Sequence, residues 1–147
     1  MATLVLIHAG ATLFMTGLIW FVQVVHYPLL ALVGRQGFVT YERHHTSRTS
    51  TIVGPVMAVE AVTAVILVSV TPAGIAAWTV WLGLGLLAGI WTSTALLQVP
   101  CHRILSREFS SATHRRLVRT NWIRTVVWSL RSFLALQIVS RHLLTGG

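Results

Sequence analysis

The chain has 147 residues, of which 54% are hydrophobic and only 10% charged, whereas about a quarter of an ordinary soluble domain is charged. Eleven arginines face three glutamates, with no lysine and no aspartate, for a net charge of +8. Two uncharged stretches, Met1 to Gly34 and the 42 residues between Glu60 and Arg103, exceed the roughly 20 apolar residues a membrane-crossing helix needs. This excludes a secreted disulfide scaffold, a disordered tail and a large catalytic domain outside the membrane. Nucleic-acid binding is not expected, because the arginines gather in two polar loops where orientation signals and anionic headgroups account for them. The lone Cys101 can form no intrachain disulfide.

In chain order, a first span runs from about Thr3 to Tyr27 and meets Pro28. It lacks a basic leading segment and is too long for a signal-peptide core, so it is expected to stay in the protein. In the loop that follows, Phe38-Val-Thr-Tyr41-Glu-Arg-His-His45 can form a short amphipathic helix with Tyr41 and His45 together at i,i+4. The second span covers about Thr51 to Val70, and Thr71-Pro72-Ala73-Gly74 makes an uncharged turn. The third runs from about Ala77 to Val99 and meets Pro100. The fourth, about Asn121 to Ser140, is the least apolar because Arg124 and Arg131 interrupt it. The expected fold is an all-α integral membrane four-helix bundle, one domain over residues 1–147. Gln23-Val-Val-His26-Tyr-Pro28 and Gln98-Val-Pro100-Cys-His102 form a faint internal echo, as two related hairpins would.

Each span carries one polar stripe. His8, Thr12, Thr16, Gln23 and His26 share an arc of the first, since 18 residues make five turns. Met57, Glu60 and Thr63 mark the second; Trp91, Thr94, Gln98 and His102 mark the third; Asn121, Arg124, Trp128, Arg131 and Ala135 mark the fourth. Lipid cannot satisfy such groups, so the stripes are expected to face one another. Glu60 and Arg131 sit at matching depths, ~13 Å and ~15 Å in at 1.5 Å per residue, and pair either as a structural tie or beside a substrate cavity. Trp78 and Trp81 suit an interfacial belt and Trp122 the opposite interface, while Trp20, Trp91 and Trp128 lie deeper, as packing or as the wall of a flat apolar pocket.

His26, His44, His45, His102 and His114 all lie at or beyond the arginine-rich ends of the spans. Imidazole with carboxylate suits Fe, Cu and Zn alike, and Glu42-Arg-His-His45 contains the Glu-x-x-His step of di-iron bundles. A metal at His26, His45 and His102, with Glu60, is therefore one expectation. Interfacial histidines bonded to headgroups and loop carbonyls are the other. With no aspartate there is no Ser-His-Asp triad, and with no lysine there is no Walker motif; G-x-G-x-x-G does not occur either.

Val99-Pro100-Cys101-His102-Arg103-Ile104-Leu105, with Asn121-Trp122-Ile123-Arg124-Thr125 opening the last helix, resembles the anthrone oxygenase-like family of small four-helix membrane proteins. In that family the third helix ends in hydrophobic-Pro-x-Asn-x-x-Leu and the fourth opens with Asn-x-x-Arg-Thr. Tyr27-Pro28-Leu29 is similar to the family's proline at the end of helix 1. The resemblance implies oxygen-dependent oxidation of a hydrophobic, often polycyclic aromatic substrate. This chain departs from the pattern with His102 in place of the usual Asn, and with His26, His45 and Glu60 added.

The expected function is thus a membrane oxidoreductase acting on a small hydrophobic substrate. His26, His45, His102 and Glu60 would hold the metal, Gln23, Gln98 and Trp91 would line the cofactor side, and Arg124, Arg131, Asn121 and Tyr41 would act on substrate. The alternatives are a b-type haem between His26 and His102 and a non-catalytic carrier or binding protein for a small hydrophobic or anionic ligand, gated by the Glu60–Arg131 pair. Expected partners are the lipid bilayer and the substrate, with a homo-oligomer compatible. The expected setting is the bacterial plasma (inner) membrane with both termini outside.

Loops 1–2 and 3–4 carry eight arginines, against one in the C-terminal tail and none in the N-terminal segment or the 2–3 turn. By the positive-inside rule, reporter fusions near Gln36 and Ser110 should report inside. Fusions in the 2–3 turn and after Gly147 should report outside, and an inside C-terminus would overturn the orientation.

Overall fold

The computed structural model describes residues 1–145; Gly146 and the Gly147 fusion point lie outside them. Four long helices make up the described residues: α1 (Ala2–Leu30), α2 (Arg35–Ser69), α3 (Ala77–Leu105) and α4 (Ser111–Thr145). Three of them, α1 to α3, are long and apolar enough to cross a membrane, so the chain is built as an integral membrane protein. α1 and α4 pack together, as do α1 and α2, α2 and α3, and α3 and α4. That ring of neighbours is the up-down-up-down bundle with short loops. Gly34 adopts φ 81° at the start of α2 and Gly74 adopts φ 76° in the 2–3 turn; a Cβ would be strained at either corner. At the start of α4, Ser110 Oγ accepts the Thr113 backbone N–H at 3.2 Å, capping the first turn.

Several boundaries differ from the sequence expectation: α1 and α3 run past Pro28 and Pro100 to Leu30 and Leu105, and α2 and α4 begin early. The amphipathic stretch around Tyr41 is not a separate short helix but the first turns of α2, which runs unbroken through Pro55. α4 likewise begins at Ser111, ten residues before Asn121. Hydropathy marks where a helix enters an apolar layer, whereas the backbone ladder continues past it while side chains reach water. The faint echo has a structural counterpart: the helices run 29, 35, 29 and 35 residues. α1 and α3 each contain a π-helical turn, Val22–His26 and Thr94–Gln98, closed by i→i+5 bonds from Tyr27 N–H to the Val22 carbonyl and from Val99 N–H to the Thr94 carbonyl. Each turn lies just before a proline, Pro28 or Pro100. Proline has no N–H and its ring collides with the carbonyl four residues back, and a wider turn relieves that collision.

The apolar core falls into two clusters. One joins Val5, Leu67, Val80 and Ile138; the larger joins Met15, Ile19, Tyr27, Phe38, Ile90, Trp128 and their neighbours. A polar layer lies between. There the Glu60 carboxylate accepts from Thr12 Oγ1 at 2.9 Å, Arg131 Nε at 3.0 Å and Trp128 Nε1 at 3.1 Å. Arg131 also donates to the Gly83 carbonyl of α3. One acid on α2 thereby ties α1 and α4 directly and α3 through Arg131. His8 Nδ1 meets Thr63 Oγ1 at 2.9 Å, one turn further along α2. The matching depths of Glu60 and Arg131 do correspond to an ion pair, with both groups buried.

Breaking a buried pair leaves one charge uncompensated, at about 3–5 kcal/mol. Glu60→Gln and Arg131→Met should each lower the thermal midpoint in detergent, with the double variant recovering part of the loss. Strictly additive losses in this cycle would show that the two side chains act independently.

Candidate functional site

The π turns set the site. Each carries a glutamine that turns inward and clamps its helix to the same stretch of α4. Gln23 Oε1 accepts from Asn121 Nδ2 at 2.8 Å while its Nε2 donates to the Val118 carbonyl at 3.2 Å. Gln98 accepts from Ser93 Oγ at 3.1 Å and donates to Thr120 Oγ1 at 3.2 Å. The two glutamines and Asn121, expected to touch cofactor or substrate, thus bond mainly to the protein itself. Buried amides without partners are costly in an apolar interior, and these bonds hold the π turns in register.

Beyond the π turns, the three expected imidazoles do come together. The His26 and His45 rings stack at 4.1 Å between centroids with planes 26° apart, and His45 lies 5.9 Å from His102. Tyr41 stacks near His26 at 6.2 Å. His44, one position away, is exposed. The choice of His45 follows from the α2 face it shares with the fully buried Phe38 and Glu42.

The imidazoles meet as stacked plates and not as converging ligands. Both nitrogens of His102 are engaged: Nδ1 with Glu42 Oε1 at 2.5 Å and Nε2 with the Tyr27 hydroxyl at 3.0 Å. His45 Nδ1 meets Thr49 Oγ1 at 3.1 Å. Among the described residues, no group of three or more His, Cys, Asp or Glu side chains is placed to hold a metal ion. The donors therefore do not fit the expected metal in this arrangement, nor a haem axial pair at His26 and His102. Glu60 stands apart from the imidazoles, its carboxylate taken up by Thr12, Trp128 and Arg131. Arg131 is accordingly a structural partner and does not line the cavity that Tyr27, His45, His102 and Arg124 border.

What the geometry does assemble is a carboxylate–imidazole–phenol chain, Glu42–His102–Tyr27. An ionised carboxylate only accepts, so Nδ1 of His102 donates to Glu42 and Nε2 is left to accept the Tyr27 hydroxyl proton. Tyr27 is 2% exposed, and its backbone carbonyl is held at 2.8 Å by Nε2 of the buried His114 on α4. The chain ends in the wall of a cavity of about 360 Å³. Met15, Leu18, Ile19, Val22 and Val53 give the cavity its apolar lining, and Tyr27, His45, His102, Gln98 and Arg124 its polar groups. Pockets of this size and mixture accept small organic ligands. Arg124 lies with its guanidinium carbon 5.5 Å from the Trp128 ring centroid.

Trp128 is fully buried, as the fourth stripe requires, but Trp91 is 46% exposed and faces outward. Ile90, one position back, takes the inward place instead. An indole is also at home against lipid, so polarity alone misassigns it. The sequence offered Glu42 only through the Glu-x-x-His step and His114 only as one of the clustered histidines, and it gave Tyr27 no place in the site. The spacing of Phe38, Glu42 and His45 marked the Glu42 face, but nothing local to Tyr27 or His114 signals a partner 75 or 87 residues away.

Compared with family models, curated proteins and solved structures, the chain finds no match.

Proposed function

We propose that the chain is a membrane-embedded oxidoreductase that uses the Glu42–His102–Tyr27 chain to deprotonate a small hydrophobic substrate for reaction with dioxygen. The observation that carries this reading is the hydrogen-bonded chain ending in the wall of an apolar cavity. A base held by an orienting carboxylate and bonded to a hydroxyl is the general pattern of an activated proton-transfer group. The resemblance to anthrone oxygenase-like proteins supplies the reaction class. On this reading α4 is a fourth crossing, the arginine-rich loops face the cytoplasm, and the membrane is the bacterial plasma membrane.

The Tyr27 oxygen takes a proton from an acidic C–H of the substrate as its own proton passes to His102 Nε2, and Glu42 stabilises the imidazolium. The substrate carbanion then gives its electrons to dioxygen. Over the full turnover, a CH2 and O2 become a C=O and H2O, a four-electron oxidation in which both substrate hydrogens leave in the water. His45 completes the polar end of the cavity, with His26 stacked behind it and Tyr41 beside His26.

Anthrone is a direct probe, because its central CH2 is acidified by the adjacent rings. The purified protein in detergent should consume one O2 per anthrone and yield anthraquinone. Loss of a positioned general base removes about 10²–10⁴ in rate, so Tyr27→Phe and His102→Ala should each fall by about 100-fold or more on that scale. Uptake no faster than the protein-free solution, or unchanged in both variants, would contradict the proposal.

A further inference from the structure

We infer that the cavity takes an amphipathic anion, a flat or chain-like apolar body carrying one ionised oxygen, with that oxygen held by Arg124. This deepens the function proposed above and rests on its assignment of the cavity as the ligand site. The whole chain contains three side-chain carboxylates: Glu42, Glu60 and Glu108. Glu42 is bonded to His102, and Glu60 is bonded to Arg131. Glu108 is exposed in the short loop between α3 and α4. Among the described residues no carboxylate is paired with Arg124.

Arg124 is nonetheless drawn into the bundle. It lines the cavity, and its Nε is shut off from solvent without a hydrogen-bond partner. The Trp128 face offers it some cation–π attraction but accepts no directed hydrogen bond from the guanidinium edge. A guanidinium matches a planar two-oxygen anion in fork geometry, and such charge-assisted bonds are the strong ones. Arg103, exposed on the cavity lining, adds a second positive charge without closing the space. The apolar residues Met15, Leu18, Ile19, Val22 and Val53 would take the body of the ligand. A neutral hydrocarbon would fill that part and leave Arg124 as bare as before.

The test titrates the purified full chain in detergent with 2-naphthoate and with methyl 2-naphthoate, followed by quenching of tryptophan fluorescence. The ester is the more hydrophobic probe, so partition into the micelle opposes the expected preference. The acid should bind at least about tenfold tighter than the ester, a difference near 1.4 kcal/mol. Arg124→Gln should erase that difference, and Arg124→Lys should keep part of it. Competition by oleate would assign the anion to membrane fatty acids, and competition only by aromatic acids to a flat ligand; both support an anion site. Equal binding of acid and ester by the unmutated chain overturns the inference even if Arg124→Gln fails to fold, and so does a preference that survives in Arg124→Gln. Glu42→Gln separates this inference from the proposed chemistry, since Glu42 is not part of the cavity lining and the variant should keep naphthoate binding while losing anthrone oxidation.

Discussion

The Glu60 carboxylate is the constraint on which the bundle depends. A lone ionised acid in the interior of an apolar bundle would be strongly disfavoured. Its partners are drawn from the other helices: Thr12 on α1, then Trp128 and Arg131 on α4, with Arg131 reaching on to Gly83 of α3. Apolar packing alone specifies bundles loosely, because one aliphatic face fits another in several registers. A charged group that must meet three donors allows far fewer. The polar layer therefore fixes how the helices slide and rotate relative to one another, while the two apolar clusters on either side supply close packing.

That constraint extends into the cavity through one side chain. Trp128 donates its indole N–H to Glu60 and presents its ring to Arg124, so the wall of the cavity is anchored to the tie. Further along, the glutamine clamps on α4 hold the two π turns. A π turn widens the helix and redirects the residues that follow it, which is why such turns recur at functional sites. Here the redirected residues include His26 and Tyr27 on α1 and His102 on α3. The charged layer, the glutamine clamps and the imidazole cluster are three separate bonded sets, brought together by the helices that carry them.

Much of this was legible in the sequence, and the reasons are specific. Four helices follow from the uncharged stretches and the turn residues between them. Glu60 and Arg131 could be paired because each is the deepest charge of its sign, and charge at depth demands a partner. His45 could be preferred over His44 because the spacing of Phe38, Glu42 and His45 marks a buried face. The failures are equally physical. Trp91 was placed by polarity, yet an indole suits lipid as well as a core. The metal expectation counted imidazoles near one another but could not see that His102 has both nitrogens engaged. Tyr27 and His114 meet their partners only because the helices are antiparallel and in this register, which no local pattern encodes. The π turns were foreshadowed by Pro28 and Pro100, but proline can equally kink or end a helix.

The central claim is that His102 is a base held ready by Glu42, with its free lone pair turned to Tyr27. Nitrogen-15 NMR of the imidazoles, with His102 assigned through His102→Ala, reads the protonation of each ring nitrogen directly. The account predicts a proton on Nδ1, shared with Glu42, and an Nε2 lone pair that accepts from the Tyr27 hydroxyl. A ring protonated on Nε2, whether as the other tautomer or as an imidazolium, would contradict it.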